Sequence, residues 1–100
     1  MAREAMVMSL TKSGGSNPEG VIINASGNRW TSPPGGWLKV QEGVWHQNSR
    51  DLVLLDPAAD EQVAVCSGCH FESVGKGGSG KAAYPPSGDV GSWSVVDITS

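Results

Sequence analysis

Turn-forming residues recur so closely along this chain that they limit its fold more than any other feature. Short apolar runs alternate with clusters of Gly, Pro, Ser and Asn, and no segment keeps a helical period beyond about two turns. The 100 residues include 14 Gly and 6 Pro, which suits short strands joined by turns. The pattern predicts an all-β or mainly β fold: a small, single-domain antiparallel sandwich or barrel with long Gly/Pro loops.

Six apolar or alternating segments, each bounded by turn residues, are the predicted strands: 6–10, 21–23, 37–45, 51–55, 63–66 and 92–98. In the third of these, Gly43 is expected to form a bulge. The links between residues 35 and 66 are too short for parallel crossovers, so this region predicts an antiparallel meander. Residues 75–91 are expected to be one long loop. Residues 1–17 are expected to form an extended N-terminal arm, and 18–100 a single β-rich domain.

Charge and hydropathy exclude some classes of partner. The net charge is -3, and no basic stripe is present that would displace the counterions of a nucleic acid. No stretch approaches the roughly 18 apolar residues that span a bilayer. No signal peptide is visible, since the apolar segment 5–10 is short and follows Glu4. We therefore expect a cytoplasmic assembly or a virion, or the periplasm if haem c is attached.

The most chemically specific motif is Cys66-Ser67-Gly68-Cys69-His70. It matches the C-x-x-C-H pattern of c-type haem attachment, and over these five residues it resembles c-type cytochromes. The resemblance implies that both thiols bond to the haem and that His70 ligates the iron. His46 is the only other histidine and would be the second axial ligand. This alternative predicts a small monohaem electron-transfer protein.

The same four side chains could instead bind zinc. Cys66, Cys69, His70 and His46 would supply two thiolates and two imidazoles in a tetrahedral site. Adjacent Cys69 and His70 point to opposite faces of an extended backbone, so both can bind only if the chain turns sharply there. The protein would then be a zinc-stapled binding module. A redox-active disulfide, or two ordinary cysteines at a strand end, are the remaining alternatives.

Tryptophan is frequent for a chain of this size, with Trp30, Trp37, Trp45 and Trp93. We expect two of them in the core and at least one at a contact with a partner. The candidate partner contacts are Met6, Val7, Met8, Trp30 and Trp37. No paired carboxylates or Ser-His-Asp set indicates an active site, so no enzymatic activity is expected.

Residues 49–65 (SRDLVLLDPAADEQVAV) combine a polar-Arg turn, a Leu-Val strand, an Asp-containing turn and a second apolar run. This segment resembles the central part of lambda-type phage head decoration proteins. The resemblance implies a trimeric cement protein without a cofactor, whose N-terminal arm, here Met1–Asn17, adds to a sheet edge of the capsid. The sequence thus predicts a non-enzymatic structural protein, most concretely a virion decoration protein, whose partners are capsid-like subunits and copies of itself.

Overall fold

The computed structural model describes residues 3–15 and 17–100, and this part of the chain contains eight strands. They are β1 (Ala5–Lys12), β2 (Glu19–Asn24), β3 (Arg29–Thr31), β4 (Glu42–Asn48), β5 (Asp51–Asp56), β6 (Glu61–Cys66), β7 (Ser79–Tyr84) and β8 (Asp89–Thr99). Each strand is antiparallel to the next, and β8 pairs with β1, so the sheet closes into a barrel. The predicted all-β antiparallel fold is confirmed in its barrel form.

The helical content of the described residues is a single 3-10 turn, Ser26–Asn28. Among these residues no helix is long and apolar enough to cross a membrane.

Period-two alternation along the strands fills the barrel. In β1, Met6, Met8 and Leu10 are fully buried, whereas Val7 and Ser9 between them are partly exposed. A barrel of eight strands encloses a space that side chains can fill completely. The other fully buried large side chains come from five further segments, which are β2, β3, β5, β6 and the loop after β6: Val21, Ile23, Trp30, Leu52, Leu54, Val63, Cys66, Cys69 and Phe71.

The N-terminal segment does not stand apart as the predicted arm. Ala5–Lys12 is β1, and it pairs along its length with both β2 and β8. The physical reason is the burial of its alternate apolar side chains, which a free arm would leave in water. Residues 1, 2 and 16 of the predicted arm lie outside the described residues.

The predicted strand 37–45 is wrong in its first half, because β4 begins only at Glu42. The preceding loop covers one end of the barrel and inserts Leu38, which is 6% exposed, into the core. A carboxylate oxygen of the buried Glu19 accepts a 3.4 Å hydrogen bond from the backbone N–H of Leu38. Gly43 pairs with Trp30 in register, so it is not a bulge.

Two strands escaped the sequence-based prediction. The three-residue β3 is one, and β7, inside the predicted loop 75–91, is the other. A Cβ at Gly80 of β7 would lie 2.8 Å from Nε1 of Trp93 and 2.9 Å from the carbonyl oxygen of Ser67. The interior is so filled at this point that position 80 has no room for a side chain.

The opposite end of the barrel is closed by the loop between β6 and β7. Phe71 of this loop is 1% exposed and packs on Trp45, with ring centroids 4.7 Å apart. Gln47 of β4 holds the loop through both ends of its side-chain amide. Its Nε2 donates to the carbonyl oxygen of Cys69 at 3.1 Å, and its Oε1 accepts from the backbone N–H of Phe71 at 2.8 Å.

Candidate functional site

The C-x-x-C-H motif forms a tight turn at the end of β6. Cys66 is the last residue of the strand, and its carbonyl oxygen accepts a 3.4 Å hydrogen bond from the backbone N–H of Cys69. Gly68 supplies the positive φ of 78° inside the turn. The turn buries both cysteines, which are free thiols with no exposed surface, and leaves His70 exposed.

Burial keeps these thiols protonated. It raises the pKa of Cys69 to about 12. It also raises the pKa of Cys66, where the neighbouring Cys69 and Asp51 add to the effect of burial. Since the thiolate is the form that binds metals and attacks other groups, both cysteines behave as small apolar core residues near neutral pH.

The four predicted haem or zinc ligands are not brought to one place. Cys66 and Cys69 lie inside the barrel, whereas His46 of β4 and His70 are exposed. Across residues 3–15 and 17–100, no group of three or more His, Cys, Asp or Glu side chains could hold a metal ion. In this conformation the residues do not fit haem or a tetrahedral zinc site, because the thiols face the core and the imidazoles lie outside it.

All four tryptophans have structural partners. Each indole N–H donates to a backbone carbonyl oxygen: Trp30 to Leu55 (3.0 Å), Trp37 to Asn17 (2.6 Å), Trp45 to Asn24 (2.7 Å) and Trp93 to Ser67 (2.8 Å). Three of them, all except Trp37, are buried. The three buried indoles therefore link strands and loops from inside the barrel and are inaccessible to a ligand.

Trp37 is the one tryptophan at the rim. It packs edge-on against Tyr84, with centroids 4.9 Å apart, and the Lys12 ammonium lies 5.0 Å from its ring centroid. The crevice beside this cluster has a volume of about 70 Å³. Pockets that enclose small molecules are several times larger, so this crevice is too small to enclose a ligand.

The predicted partner contacts separate into two groups. Met6, Met8 and Trp30 have no exposed surface, and their prediction as contacts is corrected: their alternate positions on β1 and β3 point them into the barrel. Val7 is on the outer side of β1, and Trp37 lies at the rim.

The outer surface of β8, β1, β2 and β3 carries an apolar patch that the sequence analysis did not identify. Val7 pairs with Ile22, and Ile22 pairs with Thr31, so the three lie side by side across the strands. Val96 adjoins them at the bulge where β8 slips against β1. Ile22 is 43% exposed and Val96 is 50% exposed. We call Val7, Ile22, Thr31 and Val96, with Gly20 and Pro33 beside them, the Ile22 face.

A groove runs through the Ile22 face. It has a volume of about 480 Å³ and passes between Val7, Ile22 and Pro33 over Gly20. A Cβ built on Gly20 would meet nothing within 4 Å, so the missing side chain leaves an open hollow on the outside of β2. The signal in the sequence is the unbroken apolar run Val21-Ile22-Ile23, in which a strand with one buried face must turn one member outward.

No protein-family model matches this chain, and no curated protein or solved structure matches it significantly, so its own residues carry the case for a function.

Proposed function

We propose that this chain is a non-enzymatic structural or assembly protein that works through protein–protein contacts on the outside of its barrel. Decoration or cementing of a virion capsid is the most concrete form of this proposal. The Ile22 face carries it: Ile22 and Val96 are both about half exposed on one surface of a chain whose other apolar side chains are mostly buried. Contiguous apolar patches of this kind are typical of protein interaction sites.

The placement of the reactive side chains supports the same proposal. The two thiols are buried and protonated, and the indole N–H groups are engaged with backbone carbonyls. The amide of Gln47 is committed to the loop that closes the barrel. The thiols, the indoles and the Gln47 amide thus stabilise the fold and are not free to bind a ligand.

The mode of contact differs from the arm donation that the resemblance to lambda-type decoration proteins implies. Every strand of the barrel has a neighbour on each side, and β1 is held between β2 and β8. A partner is therefore met by side chains on a face, and strand addition through residues 5–12 would first require β1 to leave the barrel.

Co-sedimentation with purified lambda-type capsids that lack their decoration protein tests the proposal. We expect saturable binding of the folded chain to the particles. Ile22→Asp should weaken it, because a carboxylate replaces apolar area through which neighbouring copies on the particle would contact one another. Val90→Asp is the matched control, since Val90 is 56% exposed on β8 but pairs with Ala83, away from the Ile22 face.

A folded chain that does not pellet with capsids at any concentration would contradict the decoration proposal. If the intact mass measured under denaturing conditions includes a covalent haem, the electron-carrier alternative replaces the proposal. If the chain holds stoichiometric zinc and unfolds when the zinc is removed, the zinc-module alternative replaces it.

A further inference from the structure

We infer that the partner of the Ile22 face is a second copy of this chain, packed on the same face about a two-fold axis. The inference uses the surface on which the proposed function rests, and it names the occupant of that surface.

The shape of the face is self-complementary. Ile22 projects outward from β2, and the Gly20 hollow lies two residues away on the outer side of the same strand. The two positions are about 6.6 Å apart, since a strand rises about 3.3 Å per residue. A two-fold axis that crosses the strands midway between them places each Ile22 in the Gly20 hollow of the other copy. Ile22 of the first copy then contacts Gly20 of the second, and Gly20 of the first contacts Ile22 of the second. Such reciprocal contacts define an isologous dimer.

The strand register shows what else this axis brings together. One row across the sheet contains Asp97, Val7 and Ile22, and the next contains Ser94, Ser9 and Gly20. The axis exchanges the two rows between copies. Val7 then faces Ser9, and Asp97 faces Ser94, so no two carboxylates are opposed.

Charge favours this surface over the rest of the barrel for contact between copies. Each copy carries a net charge of -3, so approach through charged surfaces is opposed by repulsion between like charges. The middle of the Ile22 face is uncharged, with Val7, Ile22, Thr31 and Pro33, and the charged side chain in these rows is Asp97 at the β8 margin. A foreign partner would need its own matching projection and hollow, whereas a second copy already has both.

The contact should be weak. A narrow barrel is convex across its strands, so only about three strands of each copy meet. A standard interface buries roughly 800 Å² on each partner, which would be about a seventh of the 5420 Å² surface of this chain. The convex shape limits the area that can be buried, and we expect a dissociation constant of about 10 to 100 µM.

Sedimentation velocity of the purified chain, without particles, tests the inference between about 1 µM and about 1 mM, a range that brackets the expected constant. The wild type should shift from monomer to dimer, and Ile22→Asp and Gly20→Ile should each weaken the dimer at least about tenfold, or about 1.4 kcal/mol. Gly20→Ile is the sharper variant. It fills the hollow with a side chain whose Cβ meets nothing in the monomer and which suits a strand, so the fold should persist. Val90→Asp should dimerise like the wild type.

Oxidative crosslinking gives a second measurement. An equimolar mixture of Ile22→Cys and Gly20→Cys chains should form mixed disulfide dimers more readily than either variant alone, because the axis opposes position 20 to position 22. A chain that stays monomeric to about 1 mM, a trimer, or a dimer that Gly20→Ile leaves intact would each overturn the inference. If the chain binds capsids but stays monomeric, the dimer is ruled out and the proposed function is supported. If the chain dimerises but binds no capsid, the dimer is supported and the decoration function is ruled out.

Discussion

The indole N–H of Trp30 donates a 3.0 Å hydrogen bond to the carbonyl oxygen of Leu55, and the bond passes over the strand that lies between them. Trp30 belongs to β3 and Leu55 to β5, while Gly43 of β4 lies beneath the ring. A Cβ at position 43 would come within 2.7 Å of Trp30 Nε1 and still closer to the Leu55 carbonyl oxygen. The absence of a side chain at one position therefore lets a tryptophan link three strands.

Gly43→Ala should lower the free energy of unfolding by about 2 to 3 kcal/mol, because the added methyl group collides with backbone and displaces the Trp30 ring. Urea unfolding followed by tryptophan fluorescence measures the change. Gly20→Ala is the matched control, since its Cβ meets nothing, and it should stay within about 0.5 kcal/mol of wild type. Equal effects at the two positions would contradict the packing described around Trp30.

Gln47→Leu should open the loop between β6 and β7. The variant leaves the backbone N–H of Phe71 and the carbonyl oxygen of Cys69 without their side-chain partner, which should cost about 2 to 3 kcal/mol. Hydrogen exchange at the Phe71 amide should accelerate more than exchange in the barrel strands. Gln62→Leu, at an exposed glutamine of β6, should change neither measurement. Unaltered exchange at Phe71 in Gln47→Leu would show that the loop is held by other contacts.

Stability should fall in alkali. Folding raises the pKa of Cys69 from 9.0 to about 12, so the folded state binds more protons than the unfolded state between these values. The stabilisation is complete below about pH 9 and is lost as the pH rises towards 12, with a slope of about -1.4 kcal/mol per pH unit for each such thiol. Urea titrations at stepped pH should show this slope. It should be shallower in Cys69→Val, although Cys66 and Tyr84, whose pKa values are also raised by burial, keep part of it.

The two thiols should resist a disulfide reagent such as DTNB at neutral pH. Both are fully buried, so reaction requires the barrel to open, and two thiols per chain should react at once in denaturant. Ser67→Cys adds an exposed thiol on the same turn and should react rapidly in the folded protein. Rapid reaction of the wild type would mean that the turn presents its cysteines outward and would revive the haem and zinc alternatives.

The strands that the sequence predicted are those with a strong local signal. β1 has Met6, Met8 and Leu10 at alternate positions, and β5 and β6 are apolar runs separated by an Asp-Pro turn that the structure retains. The segment 37–45 also alternates, yet its first half is a loop. Leu38 is buried there by plugging the barrel end, and alternation alone does not distinguish a plug from a strand. The opposite failure is β7, a real strand whose first half, Ser79-Gly80-Lys81, has no apolar side chain, because Trp93 occupies the space beside Gly80.

The candidate site was harder to predict for a different reason. The C-x-x-C-H pattern is local, but whether its side chains converge depends on the turn at residues 66–69, which sends Cys69 inward and leaves His70 outside. The Ile22 face depends on the register between the consecutive strands β1, β2 and β3 and on the pairing of β1 with the distant β8. Its members become neighbours only through the register of Val7 with Ile22 and of Ile22 with Thr31.

The pairing of β1 with β8 has a consequence for how this protein folds during its synthesis. Ala5 lies opposite Thr99, so the ring is joined by segments separated by almost the whole chain. Until β8 has been synthesised, β1 and β7 have open edges, and the Trp93 position in the interior is vacant. Until β8 is available, the other strands can form only an open sheet, and its unpaired edges at β1 and β7 are where another chain could pair.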